Sequence, residues 1–268
     1  MMTIWEQIGW IGAGAAGVML AGYLVQLRTK DAGIVDALWA FSLAGAAAFA
    51  ALTGAGDETR RALIATMVGV WGLRLGVHVL TDRVLKGGED ARYAEMRTRL
   101  GANAPRFFAA VFAANAVLVL ILSGVFVSAS GSGREANAGA LTAWHYLAAA
   151  LWGVGMGGEW IADRQLLRFK QQSANKGKVC RVGLWRYSRH PNYFFEWVIW
   201  CAFAAAGVTG PLGWWVVVAP AIMLVLITRV TGIPPTERRA LVSRPAAYRE
   251  YQKTTSAFVP WFRKELQR

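Results

Sequence analysis

The sequence predicts an all-α polytopic membrane protein, one domain over residues 1–268 with seven transmembrane helices, cytoplasmic loops and a C-terminal tail. Three observations predict it. Of the residues 55% are hydrophobic and only 17% charged, where soluble domains carry about one-quarter charged residues. Apolar runs of roughly twenty residues recur along the chain, the length a helix needs to cross a bilayer. The Lys and Arg residues collect in alternate connections, so the net charge of +13 reads as a topology signal and not as nucleic-acid binding.

The spans fall at about 4–27, 33–53, 62–85, 106–128, 140–162, 192–208 and 211–231, with a tail over 232–268. No basic residue precedes the first apolar stretch, which therefore reads as a retained span and not as a signal peptide. The connections 28–32, 83–106 and 163–190 and the tail from Arg229 hold nearly all the basic residues, while 54–61, 129–139 and 209–210 hold only Arg60, Arg61 and Arg134. The N-terminus is expected outside and the C-terminus inside. Cys180 and Cys201 form neither a disulfide framework nor a zinc spacing, and no metal site is expected.

Gly12, Gly14 and Gly17 in the first span spell a literal GxGxxG, but no strand precedes it. Small residues there, and Gly153 and Gly157 in the fifth span, read as helix-packing positions. Asp36 lies one turn inside the second span with Trp39 on the same face, and Trp71, Arg74 and His78 form a stripe on the third. Ionisable groups in a bilayer face a partner or a cavity. Asp36 with Arg74 is therefore either a structural pair or, together with His78, the polar wall of a substrate pocket. Gly88–Tyr93 reads as a solvated turn and short helix, or as a lid over a cytoplasmic pocket.

Asp163, Arg164, Arg168 and Lys170 open the long basic loop after the fifth span. Asp163 suits a ribose hydroxyl or an adenine amine, and the bases suit phosphates. Gly183–Glu196 then packs Arg186, Arg189, aromatics and one acid before an apolar run, with Pro191 placed to start a helix. Unpaired N–H groups at that helix start, with Arg181 nearby, suit a phosphate-bearing ligand. Asn192 and Glu196 share one face of the helix, where a bare membrane anchor has no use for a carboxylate. In the tail, Tyr248 and Tyr251 either close over a cofactor or dock structurally. Trp261 and Phe262 beside Arg263 and Lys264 suit an interfacial anchor.

Gly183–Glu196, with Arg244-Pro-x-x-Tyr248-x-x-Tyr251 through Pro260-Trp261, resembles bacterial membrane proteins of the steroid 5α-reductase-like superfamily, and more narrowly its DUF1295 branch. Val35-Asp36-x-x-Trp39, Trp71-Gly-x-Arg74 and Glu89-Asp90-x-Arg92-Tyr93 carry the same resemblance, which spans almost the whole chain. It implies a seven-helix fold in the inner membrane that binds NADPH and reduces a carbon–carbon double bond conjugated to a carbonyl, in a lipid entering from the bilayer. It places Asp163, Tyr187, Asn192 and Glu196 at cofactor-contacting positions, with Arg168, Lys170 and Arg189 as phosphate partners. The steroid reductases polarise the carbonyl with a glutamate and a tyrosine that have no match in the second and third spans. Asp36 with His78 or Arg74 is the expected substitute. Arg189-His190-Pro191-x-Tyr193, followed by Glu237, Tyr248 and Tyr251, also resembles isoprenylcysteine carboxyl methyltransferases, which bind S-adenosylmethionine. A non-enzymatic membrane scaffold is the third expectation.

Overall fold

The computed structural model describes residues 1–85, 88–131 and 141–262. Arg134, Arg263 and Lys264 lie outside the described residues. The described residues form helices and no named strand. Ten α-helices follow in order: α1 Ile4–Thr29, α2 Ile34–Thr53, α3 Glu58–Val79, α4 Ala91–Leu100, α5 Ala104–Ser130, α6 Ala143–Gln171, α7 Pro191–Gly207, α8 Val218–Val225, α9 Ile233–Ser243 and α10 Pro245–Thr254. Among the described residues five helical stretches are long and apolar enough to cross a membrane: Ile4–Thr29, Ile34–Thr53, Glu58–Asp82, Ala91–Ser130 and Gly213–Ser243.

Local chemistry explains the starts. Thr3 and Glu6 form a reciprocal capping box on α1. Asp57 accepts from the amides of Thr59 and Arg60 to open α3, and Asp90 accepts from Arg92 to open α4. Pro191 is the first residue of α7, where its missing N–H costs nothing.

Three expected boundaries move. The fifth span was expected to end at 162, yet α6 runs to Gln171, so Asp163, Arg168 and Lys170 ride on helix and not on loop. The last span, expected at 211–231, is broken: a 3₁₀ stretch Gly213–Val217 leads into α8, and a π-helical turn Leu226–Val230 leads out. A second π turn, Leu80–Val84, closes α3.

The chain divides into two compact units, Met1–Leu147 with Phe203–Ala219, and Ala148–Ala202 with Pro220–Arg268. In the first, α2 packs against α1, α3 and α5. Trp71 is fully buried and meets Trp39 and Phe203 edge-on, with ring centroids 5.9 and 5.6 Å apart. The close approaches do not use the glycines singled out in the sequence. A Cβ on Gly14 or Gly17 would meet nothing, and one on Gly12 only the Leu120 side chain at 3.3 Å. Gly22 and Gly72 carry that role, with a Cβ falling 2.2 Å from Leu38 and 2.9 Å from the Ala40 carbonyl.

In the second unit α6 lies against α7 through Gly155 and Gly158, where a Cβ would fall 2.6 Å from Ile199 and 2.3 Å from the Phe195 ring. Gly153 and Gly157, the expected packing positions, face open space. They line a groove of about 480 Å³ with Val154, Ile161 and Phe195. Ala240, Tyr248 and Tyr251 form a small core that joins α9 to α10, covered by Val179 and Leu241.

Candidate functional site

The second unit concentrates its polar side chains at the start of α7. The backbone over 183–190 opens with a 3₁₀ turn, Gly183–Arg186, and the rest of its shape comes from neighbours. Gly183 adopts φ +56, and a Cβ there would fall on the Gln165 side chain 2.3 Å away, so glycine is required twice over. Gln165 Oε1 accepts from the Leu184 amide at 2.8 Å, and the Trp185 indole donates to the Ala162 carbonyl at 2.8 Å. From the other side Tyr251 donates its hydroxyl to the carbonyls of Trp185 and Ser188. Ser188 donates to the Phe258 carbonyl at 2.7 Å, the Arg189 amide to Ser256 at 2.8 Å, and the Trp261 amide to Tyr187 at 3.0 Å. Ser188 and Ser256 thus form a one-residue parallel bridge.

A charged knot sits beside this strap. Arg189 Nε donates to Glu237 Oε1 at 2.7 Å, His190 Nε2 lies 3.2 Å from the same oxygen, and the Tyr248 hydroxyl donates to it at 3.2 Å. Gln252 Nε2 donates to Oε2 at 2.7 Å. The Glu237 side chain is only 14% exposed, so one carboxylate, nearly out of water, holds two basic groups, a phenol and an amide. His190 is buried and stacks on Tyr193, with ring centroids 5.4 Å apart and planes 6° from parallel. Burial raises the Tyr248 phenol, helped by the Glu237 charge, and burial raises Tyr251 likewise, helped by Tyr248. Both therefore stay protonated donors at neutral pH.

One turn further, Asn192 Nδ2 donates to Asp163 Oδ1 at 3.2 Å, which brings α6 and α7 together through the pair expected to touch a cofactor. Glu196 accepts from the Trp200 indole at 3.1 Å. Arg168 and Lys170 stand exposed on the last turns of α6, and Tyr187 is also exposed. Arg189 and Arg181 have employment other than phosphate contact. Arg189 Nη1 also donates to the Gln252 carbonyl at 3.2 Å. Arg181 bonds Glu250 at 2.9 Å and the Ala247 carbonyl at 2.9 Å, and lies over the Tyr251 ring. Both are clamps within the protein.

The first unit holds the other expected residues. Asp36 accepts from Arg92 Nη2 at 2.7 Å and from the Tyr93 hydroxyl at 2.9 Å. The segment read as a solvated turn and short helix, or as a lid, supplies both of these bonds to the Asp36 carboxylate. His78 is 57% exposed and stands 4.0 Å from Asp82, one turn along. Along α3, Trp71 is fully buried, Arg74 half-buried and His78 exposed.

Glu237 and Tyr93 carry the contacts that the residue-level reading missed. Glu237 had a signal: it is a lone acid before Arg238 and Arg239, while Arg189 at the start of α7 requires a counter-charge. Tyr93 follows Arg92 in a mixed-charge run, where nothing local distinguishes a solvated ring from a buried one.

No curated protein and no solved structure matches the chain. The family model described as a protein of unknown function, DUF1295, matches residues 22–255, from the second half of α1 through the end of α10. The match covers the loop 183–190, the knot and the Asp163–Asn192 pair and stops short of Ser256, Phe258 and Trp261; the chain belongs to the DUF1295 family.

Proposed function

We propose that the second unit binds NADPH and that the protein is a membrane reductase acting on a carbonyl-conjugated double bond of a steroid-like or other lipid. The observation that carries this reading is the Asp163–Asn192 bond between α6 and α7, with Glu196 one turn beyond. A carboxylate–amide pair and a second carboxylate on neighbouring apolar helices are costly in a bilayer and are found where something polar is bound. Asp163, Asn192 and Glu196 offer acceptors and one amide for ribose hydroxyls and a carboxamide. The exposed Arg168, Lys170 and Arg186 suit the phosphates. The residues present fit the cofactor in this sense, with Arg181 and Arg189 shaping the loop instead of gripping phosphate. The bound nucleotide would supply the hydride. In this reading α6 and α7 also cross the membrane, making seven crossings of a bacterial inner membrane with the C-terminus inside. Asp36, expected with Arg74 or His78 to polarise the carbonyl, also accepts from the Tyr93 hydroxyl, which that expectation did not include.

A second reading has its own support. Arg189, His190, Glu237, Tyr248 and Tyr251 carry the resemblance to S-adenosylmethionine-dependent methyltransferases, and four of the five meet at one carboxylate. Thermal stabilisation of the purified protein separates the two, because a ligand that binds only the folded state stabilises it by RT ln(1 + [L]/Kd). Stabilisation by NADPH that is lost in Asn192→Ala and in Glu196→Gln, with both variants folded, supports the reductase. Stabilisation by S-adenosylmethionine alone moves the assignment to the methyltransferase. A response to neither leaves a membrane scaffold.

A further inference from the structure

α9 and α10 are amphipathic. Ala240, Tyr248 and Tyr251 point into the small core, while Arg238, Arg239, Arg249 and Lys253 are exposed. The exposed turn carrying Lys176 and Lys178 is tied to this pair of helices, since Arg244 Nη1 donates to the Lys178 carbonyl at 2.8 Å. The exposed carboxylate on α10, Glu250, is already bonded to Arg181 at 2.9 Å. A face with this charge balance attracts an anionic surface. The same unit also exposes apolar side chains: Val242 on α9 is 86% exposed, and Trp261 and Phe262 at the end of the strap are 68% and 80% exposed. Basic residues flanked by exposed aromatics fit a lipid interface better than a nucleic acid or a soluble acidic protein. The last stretch long and apolar enough to cross a membrane, Gly213–Ser243, ends with α9, which keeps such an interface within reach.

We infer that this face docks on anionic phospholipid headgroups of the surrounding leaflet, and that docking holds the strap 255–262 against the loop 187–189. The physical link is short. Trp261 donates its amide to the Tyr187 carbonyl at 3.0 Å, and the Phe262 ring meets the Tyr187 ring edge-on at 6.5 Å. The same strap therefore presents aromatics to a membrane and fixes the loop that precedes α7. Anionic lipid would lower the probability that strap and loop separate. This deepens the nucleotide reading, on which it rests for its regulatory meaning, because Tyr187 and the loop are cofactor-contacting in that reading. Its test needs no nucleotide.

The test is amide hydrogen exchange on the full chain in nanodiscs, without cofactor. One set is made of phosphatidylcholine alone and one is doped with phosphatidylglycerol. Exchange at Arg189 and Trp261 is expected to slow on the order of tenfold in the doped discs, the effect of one or two basic residues engaging a charged leaflet. High salt should abolish the gain. So should Arg238→Gln with Arg249→Gln and Lys253→Gln, and separately Trp261→Ser with Phe262→Ser. Equal exchange in the two lipid compositions overturns the inference. So does slowing that survives removal of the three charges, or slowing produced by soluble heparin but not by anionic lipid. Absence of NADPH stabilisation with the lipid effect intact would remove the reductase reading and leave this one standing.

Discussion

Glu237 is the residue on which the second unit's polar contacts converge, and its substitution separates charge from shape. Glu237→Gln keeps the outline but leaves Arg189 and His190 without a counter-charge at a site that is 14% exposed. A loss of about 3 kcal/mol is expected, as for breaking a buried pair by removing one partner, measured by unfolding in mild detergent. Tyr251→Phe removes two bonds to the loop carbonyls of Trp185 and Ser188 and should cost about 2 kcal/mol by the same measurement. It should also loosen the 185–190 peptides in hydrogen exchange while leaving α1 to α3 unchanged. Tyr93→Phe, which strips a donor from Asp36, should cost about 1 kcal/mol by the same unfolding measurement and leave the 185–190 peptides unchanged in hydrogen exchange. At this scale the sequence was informative about which residues matter and less so about what they touch. Asp163, Asn192 and His190 were legible because polar side chains are out of place beside apolar runs. That Arg92 and Tyr93 reach Asp36 was not, because they sit 56 and 57 residues away and no local pattern encodes that distance.

Among the elements, the α6–α7 pair shows how glycines decide the approach of two helices. Gly158→Leu should separate them and cost about 1–3 kcal/mol, since its Cβ alone would fall 2.3 Å from the Phe195 ring. Gly157→Leu, one residue away, faces open space and should be nearly neutral in the same unfolding experiment. Composition reported that small residues were present, but only the rotation of each helix reveals which of them face a neighbour, and a GxxxG spacing does not carry that rotation. The extension of α6 to Gln171 was hidden for a related reason. A span was expected to stop at the first charged cluster, yet Asp163 and Lys170 continue a helix that Asn192 and the Trp185 indole hold in place. The start of α7 at Pro191 was legible, because proline pre-sets the first turn and removes a donor that a helix start leaves unused anyway.

For the whole molecule the class was the most legible property, since apolar length and sparse charge are summed over hundreds of residues and tolerate local error. Five stretches long enough to cross a membrane follow from the same signal. Sidedness is open to direct measurement. Cysteines placed at the exposed Arg99 and Val242 should react with an impermeant reagent from the cytoplasmic side, and one at Thr59 from the opposite side. Alkaline pH tests the protein as a unit. The folded state holds the Tyr248 and Tyr251 protons more tightly than the unfolded chain, whose phenols titrate near 10.0. Stability contributed by the raised phenols is present below that value and is lost as pH climbs above it, so the unfolding temperature should fall beyond about pH 10, and fall less steeply in Tyr251→Phe. The Tyr251–Ser188 bond spans 63 residues of chain. During synthesis, then, the segment leading into α7 leaves the ribosome well before the residues that give it shape. A nascent chain stopped within α10 would have its membrane helices and lack a formed loop, and a C-terminal fusion that pulls on Trp261 would delay or prevent maturation of the same segment.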